Sequence, residues 1–128
     1  MFIFFSCNNG TKNIAPNKEA ASTDSLINNA DAYADSANRE GASLIAANDC
    51  LTCHQINEKS VGPSYVEIAE KYHYNQGNIE NLIHSIINGS VGIWGNEKKM
   101  TPHPNLTFND AEKMVKYILT LKDTASAK

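Results

Sequence analysis

The sequence predicts a small all-α protein built from four helices. Apolar residues recur at helical spacing in several segments, capping residues precede them, and no segment alternates apolar and polar residues as a half-buried strand does. The chain has 128 residues, which suggests one domain with a tail. A formal charge of −3 argues against a nucleic-acid partner. No apolar run in the sequence reaches the roughly 18 residues needed to span a bilayer.

The first two predicted helices flank a cysteine-containing motif. The first is expected to begin at Asp35 or Ser36, either of which can cap it, and to run into Cys50. A turn over residues 61–64 then precedes a short second helix over 65–72. The apolar positions of the first helix are Ala42, Leu44, Ile45 and Ala46.

The third and fourth helices have clearer signals. Gly89 can end the third helix, whose apolar residues are Ile79, Leu82, Ile83, Ile86 and Ile87. Thr107 can cap the fourth, with Asp110 where a capping box usually has Glu. The fourth helix carries Ala111, Met114, Val115, Ile118, Leu119 and Leu121. Residues 90–106 form a loop longer than a simple connection requires, so we expect it to have a function.

Residues 1–34 are predicted to be a leader and flexible tether, and residues 35–128 the folded domain. Residues 8–34 contain few large apolar side chains and are expected to form at most a weak helix around 25–34. The first residues resemble the end of a bacterial lipoprotein signal, in which Cys7 becomes a lipidated N-terminus. They lack a basic region and their apolar stretch is short. A start further upstream, or a chance apolar leader with a free Cys7 thiol, is therefore an alternative.

The strongest signal is the string C-L-T-C-H, formed by Cys50, Cys53 and His54. Two thiols at this spacing can add to the two vinyl groups of one haem and leave the adjacent imidazole beneath the iron. A buried haem would also give the helices of a small domain a large apolar plate to pack on. A redox-active or zinc-binding C-x-x-C pair is disfavoured, because the sequence lacks the strands and the second ligand pair that such a protein would need.

The second axial position of such a haem is expected to be filled by Met100. This residue lies in the irregular loop, where a rigid backbone can hold a weak thioether ligand. Met114 occupies a core position of the fourth helix and is expected to be a packing residue. His103 lies in the same loop as Met100 and is the competing ligand. His73 and His84 are expected to be surface residues.

Four motifs and a capped terminal helix, in this order, resemble the short bacterial class I cytochromes c. The motifs are C-x-x-C-H, V-G-P-S-Y, N-G-S-V-G-I-W-G and K-M-T-P-H-P. The resemblance covers residues 35–122. It implies the cytochrome c fold, with about four helices wrapped around one covalently attached haem c. Cys50 and Cys53 would attach the haem, and His54 and Met100 would be ligands of its iron.

The resemblance also implies roles for residues around the haem. Pro63 would supply a backbone carbonyl to the imidazole N–H of His54, which orients the ligand. Trp94 would pack beside the haem and donate its indole N–H to a propionate, with plain core filling as the alternative. Gly41 would permit close contact between the first and last helices near Tyr117.

The function implied is electron transfer by a single haem, without enzymatic activity. The partners would be a quinol-oxidising complex, a terminal oxidase or a dehydrogenase, met on the periplasmic side of a bacterial membrane. The protein is expected to be a monomer, anchored if Cys7 is lipidated. Alternatives are a haem sensor with a displaceable sixth ligand and a subunit of a larger oxidase or oxidoreductase. Charged residues 96–99 depart from the family pattern and would form a docking rim, an enlarged ligand loop or a solvated face.

Overall fold

The computed structural model describes residues 23–95 and 98–122, with side chains from residue 34 onward. This part of the chain is mostly helical, which confirms the predicted class. None of its helices is both long and apolar enough to cross a membrane. The elements are α1 (Thr23–Ala47), a 3-10 turn (Asp49–Thr52), α2 (Tyr65–Lys71), α3 (Gln76–Asn88), β1 (Ser90–Val91), β2 (Lys99–Met100) and α4 (Phe108–Thr120).

Helix α1 begins earlier than predicted. It starts at Thr23, so Asp35 lies within the helix and pairs with Arg39 at 3.3 Å, one turn further on. The expectation that Asp35 or Ser36 caps this helix is wrong. Three alanines between residues 30 and 34 explain the extension, because alanine has the highest helix propensity. The predicted boundary after residue 34 therefore falls inside α1, while Cys7 and the leader lie outside the described residues.

Helix α1 also ends before Cys50, which the prediction had placed at its end. The backbone of Asn48 is extended, with φ −108° and ψ 169°. Its side-chain amide donates a hydrogen bond to the carbonyl of Leu44 at 2.7 Å. Short amide side chains that bond to nearby backbone compete in this way with helix continuation. Cys50 consequently lies in the separate 3-10 turn.

Side-chain caps define the starts of α2 and α4. Ser64 and Glu67 form a complete capping box, in which the Ser64 hydroxyl accepts from the Glu67 N–H at 3.1 Å. Thr107 caps α4 as predicted and accepts from the Asp110 N–H at 3.1 Å. The Asp110 carboxylate accepts from the Thr107 hydroxyl at 2.8 Å instead of reaching backbone. Of the two hydrogen bonds of a capping box, therefore, only the one from the Asp110 N–H to the Thr107 hydroxyl is formed.

Helix α3 begins at Gln76, three residues before its first predicted apolar position, and ends where expected. Asn75 caps it by accepting from the Asn78 N–H at 2.9 Å. Gly89 ends it with φ +75°, a backbone conformation that favours glycine. The loop after Gly89 contains an antiparallel ladder that the sequence did not predict, with Ser90 paired to Met100. Two-residue strands are too short to show an alternating pattern.

Helix α4 forms the centre of the hydrophobic core and packs against the other three helices. Its residue Met114 is only 1% exposed, which confirms the prediction that it is a packing residue. One cluster contains Ile45, Tyr65, Ile68, Met114, Ile118 and Leu121. A second cluster contains Ile79, Ile83, Ala111, Val115 and Leu119.

Gly41 is the point of closest contact between α1 and α4. A Cβ atom at this position would overlap the carbonyl oxygen of Lys113 and lie 2.8 Å from the Cβ of Tyr117. At the same crossing, the Lys113 ammonium group pairs with the Glu40 carboxylate at 2.6 Å. The close approach of these helices near Tyr117 is therefore present.

We expect Gly41→Ala to lower the free energy of unfolding of the holoprotein by about 1–3 kcal/mol, because the added methyl group meets the backbone of α4. Urea unfolding followed by circular dichroism measures this change. Gly77→Ala is the matched control, since its new methyl group would meet the Asn75 side chain at an ordinary 3.5 Å. Helix propensity predicts an unchanged or up to about 1 kcal/mol higher stability for this control. Equal losses in both variants would contradict the proposed steric effect.

Candidate haem site

The two motif cysteines are free thiols, with Cys50 in the 3-10 turn and Cys53 directly after it. The backbone N–H groups of His54 and Cys53 donate to the Cys50 carbonyl at 2.9 and 3.2 Å, which sets the spacing of the motif. Cys53 is exposed and Cys50 is half-buried. Burial raises the pKa of the Cys50 thiol, and the neighbouring Asp49 carboxylate raises it further. Both sulfur atoms are available for thioether formation.

The imidazole of His54 is oriented by a backbone carbonyl. Its Nδ1 lies 2.7 Å from the carbonyl oxygen of Pro63, the contact that the resemblance implied. A carbonyl can only accept a hydrogen bond, so Nδ1 carries the proton. Nε2 is then the unprotonated nitrogen, which can coordinate a metal.

Gly62 shapes the space beside this imidazole. A Cβ atom there would lie 2.6 Å from Cε1 and 2.9 Å from Nδ1 of His54. The Gly62 N–H donates to the Cys53 carbonyl at 2.8 Å, which holds the backbone close to the motif. From the sequence, Gly62 was predicted only to be part of a turn. Its place directly before Pro63 was the available signal, because backbone that approaches the imidazole this closely leaves no room for a side chain.

The ring of Tyr65 stacks against the imidazole ring of His54. The two ring centroids are 5.6 Å apart and the ring planes differ by 19°. Tyr65 is 3% exposed and belongs to the core cluster shared with α4. Burial raises the pKa of its phenol above the ordinary range. The histidine is thereby linked to the packed interior of the protein.

Trp94 is partly buried and packs against the same core cluster. The Nζ atom of Lys71 lies 4.5 Å from the Trp94 ring centroid, within the range of a cation–π contact. The same ammonium group donates to the carbonyl of Ile93 at 3.4 Å. These contacts hold the indole in place, and its predicted hydrogen bond to a propionate stays a prediction.

Met100 is partly buried and stands on β2, paired with Ser90. Its carbonyl oxygen would lie 2.6 Å from a Cβ atom at Gly89, so the end of α3 closely contacts the ligand loop. Met100 also lines a cavity of about 490 Å³ between residues 88–91 and 99–102. The Lys98 ammonium group donates to the Val61 carbonyl at 3.2 Å, which joins the loop that carries Met100 to the segment that precedes Pro63.

The other histidines have different surroundings. His73 and His84 are exposed, as predicted, and His84 packs edge-on against Phe108 at 6.4 Å between ring centroids. His103, the competing ligand, has its Nε2 2.9 Å from the Asp49 carboxylate. That nitrogen is thus engaged in a hydrogen bond.

The residues present fit a covalently attached haem. Two free thiols stand beside an imidazole whose Nε2 can coordinate iron. Apolar side chains near these groups in the sequence are exposed, namely 45% of Leu51, 43% of Ile56 and 60% of Val61. Exposed apolar side chains of this kind are typical of a surface that packs against an apolar partner, and a porphyrin plane is such a partner.

Comparison with known proteins agrees with this interpretation. The family model described as Cytochrome c matches residues 38–122. Cytochrome c-552 of Nitrosomonas europaea is 40% identical over 81 residues, which cover 63% of this chain and 78% of that protein. Cytochrome c2 of Rhodocyclus tenuis is 35% identical over 85 residues, which cover 63% of this chain and 91% of that protein.

Solved structures show the same fold. The crystal structure of wild-type Nitrosomonas europaea cytochrome c552 matches with a TM-score of 0.59 and covers 63% of this chain and 99% of that chain. A class 1 cytochrome from Sideroxydans lithotrophicus ES-1 matches with a TM-score of 0.54 at 26% identity, covering 66% and 95% of the two chains. The chain therefore belongs to the cytochrome c family, as a short bacterial class I member that transfers electrons through a covalently attached haem c.

Proposed function

We propose that this electron carrier uses His54 and Met100 as the axial ligands of its haem iron. The observation that carries the proposal is the 2.7 Å contact between His54 Nδ1 and the Pro63 carbonyl, which leaves Nε2 for the metal. Met100 is the proposed second ligand because it is partly buried on β2 and closely follows Lys98, whose bond to the Val61 carbonyl joins this loop to the segment before Pro63. The haem supplies the one-electron redox couple.

The chain contributes attachment, orientation and exclusion of water. Cys50 and Cys53 hold the haem through thioethers, and Pro63 keeps the imidazole in one tautomer and one orientation. A thioether ligand such as Met100 favours the reduced iron and so raises the reduction potential. Apolar side chains such as Val61 and Ile93 would cover the haem and limit access of water. No acid–base step is needed, because only an electron enters and leaves.

The proposed location is the periplasmic side of a bacterial membrane. There a monomeric carrier would exchange electrons with a quinol-oxidising complex, a terminal oxidase or a dehydrogenase. Covalent attachment through C-x-x-C-H and the bacterial origin of the relatives support this location. Lipidation of Cys7, which lies outside the described residues, would add a membrane anchor. Stable anchoring generally takes more than one weak membrane-binding signal.

Lys59, Lys98 and Lys99 are proposed to form a basic rim for docking. All three residues are exposed, and Lys98 is held beside the haem segment by its bond to the Val61 carbonyl. Contacts between electron-transfer partners are small and transient. Charges at their rim therefore act mainly on the rate of association.

Visible spectra of the purified holoprotein test the ligand pair. We expect Met100→Ala to lose the weak far-red band of Met-ligated ferric haem. Its reduction potential should fall by on the order of 0.1–0.3 V, within the roughly 0.8 V that axial ligands span. Met114→Leu, a conservative change in the buried core, should keep the band and the potential. A wild-type protein that lacks the band and readily binds carbon monoxide when reduced would instead favour a ligand-binding role.

Gly62→Ala tests the orientation of His54. The new methyl group would press on the imidazole and weaken its bond to Pro63, so we expect the holoprotein to lose about 1–3 kcal/mol of unfolding free energy. Denaturant unfolding followed through haem absorbance measures the loss. Gly77→Ala serves again as the control because its surroundings leave room for a methyl group. An unchanged free energy of unfolding in Gly62→Ala would show that the orientation of His54 does not depend on the absence of a side chain at residue 62.

The basic rim is tested with ferricyanide, an anionic one-electron oxidant. The double variant Lys59→Glu/Lys98→Glu should slow oxidation of the reduced protein about two- to tenfold at low ionic strength. The difference should nearly vanish in about 1 M salt, where charges are screened within about 3 Å. Lys122→Glu, at the end of α4, is the matched control for charge. If this control slows the reaction as much per charge as the double variant, net charge and not a local rim governs the rate.

A further inference from the structure

A hydrogen bond joins the loop that carries Met100 to the 3-10 turn that contains Cys50. His103 Nε2 lies 2.9 Å from Oδ1 of Asp49. Asp49 is the first residue of the 3-10 turn and directly precedes Cys50. His103 follows Met100 by three positions, whereas it is 54 positions from Asp49 in the sequence. The contact thus joins two residues that are distant in the sequence, next to the haem-binding motif.

The backbone around His103 is also held in place. Its N–H donates to the carbonyl of Ile86 in α3 at 2.9 Å, and its carbonyl accepts from the Leu106 N–H at 3.1 Å. On the other side, Met100 is held by its pairing with Ser90. The backbone is therefore held at two places, at Met100 itself by the β ladder and three residues later at His103.

The surroundings of the His103 ring select one arrangement of its protons. Nδ1 is buried and has no hydrogen-bond partner among the described residues. A proton on Nδ1 would be a buried donor without an acceptor, which is costly. A neutral ring with its proton on Nε2 places no unpaired proton at Nδ1 and donates a charge-assisted hydrogen bond to the carboxylate of Asp49.

We propose that the Asp49–His103 pair is a clasp that keeps the Met100 loop closed and so controls how readily Met100 leaves the iron. This inference rests on the His54 and Met100 ligation proposed above. His103 is a positioning residue, since it acts on the iron through the loop and not by coordination. Opening the clasp lets the loop move away from the 3-10 turn and exposes the sixth coordination position to small ligands.

Imidazole titration of the ferric holoprotein at neutral pH and low salt tests the clasp. The variants are Asp49→Ala, His103→Gln and the double variant. Each single change should lower the apparent dissociation constant for imidazole about two- to fivefold, the size typical of a contact to an exposed charged group. The double variant should show no greater change than a single one, because both residues belong to one interaction.

Two exposed residues provide matched controls, Glu58→Ala for the carboxylate and His73→Gln for the imidazole. Neither control should change the affinity for imidazole. Urea unfolding of the same proteins separates the clasp from a general loss of stability. If the pair is a clasp, the dissociation constant for imidazole falls while the free energy of unfolding stays the same. If the pair is only structural, the free energy of unfolding falls while the dissociation constant stays the same.

The outcomes also separate the clasp from the ligand assignment. A wild-type protein without the far-red band would overturn Met100 ligation and the clasp together. A wild type with that band, combined with unchanged imidazole affinity in the Asp49 and His103 variants, would overturn the clasp alone. A spectrum that changes in His103→Gln but not in Met100→Ala would make His103 the ligand and would also overturn the clasp.

Discussion

The hydrogen bond between His54 and Pro63 connects the chemistry of the haem site to the packing of the protein. Pro63 directly precedes Ser64, whose capping box with Glu67 begins α2. Helix α2 in turn buries Tyr65 and Ile68 against α4. The orientation of a single imidazole therefore depends on a cap, a short helix and a core cluster. A ligand supported in this way loses little conformational freedom when it binds a metal.

Two glycines allow close packing at two points of this domain. Gly41 lets α1 approach the backbone of α4, and Gly62 lets a peptide unit approach the His54 ring. Glycine costs about 1 kcal/mol against alanine inside a helix. At Gly41 that cost is outweighed by the packing of α1 on the helix that touches all the others.

The parts of the structure that sequence could predict are those governed by local rules. Periodicity and capping located α3 and α4, with Gly89 and Thr107 in their expected places. The start of α1 was wrong because local alanine propensity outweighed the shortage of apolar residues that had suggested a tether. Gly62, the short ladder and the His103 contact depend on residues distant in sequence, and neither periodicity nor composition records such contacts. The motif indicated which residues hold the haem, but their roles as ligands rest on the resemblance and stay predictions.

The early start of α1 changes how the domain can be oriented by whatever chain precedes it. The part of α1 before residue 35 adds about 18 Å of helix at a rise of about 1.5 Å per residue. A flexible segment of the same length has a similar root-mean-square span of roughly 19 Å. The distance that the segment spans is therefore almost the same in both cases. Its direction differs, because a stiff helix fixes the orientation of the domain relative to the chain before it. A partner attached to the chain before Thr23 would contact only some faces of this protein. The direction of α1, as well as the affinity of the partner, would then determine which face exchanges electrons.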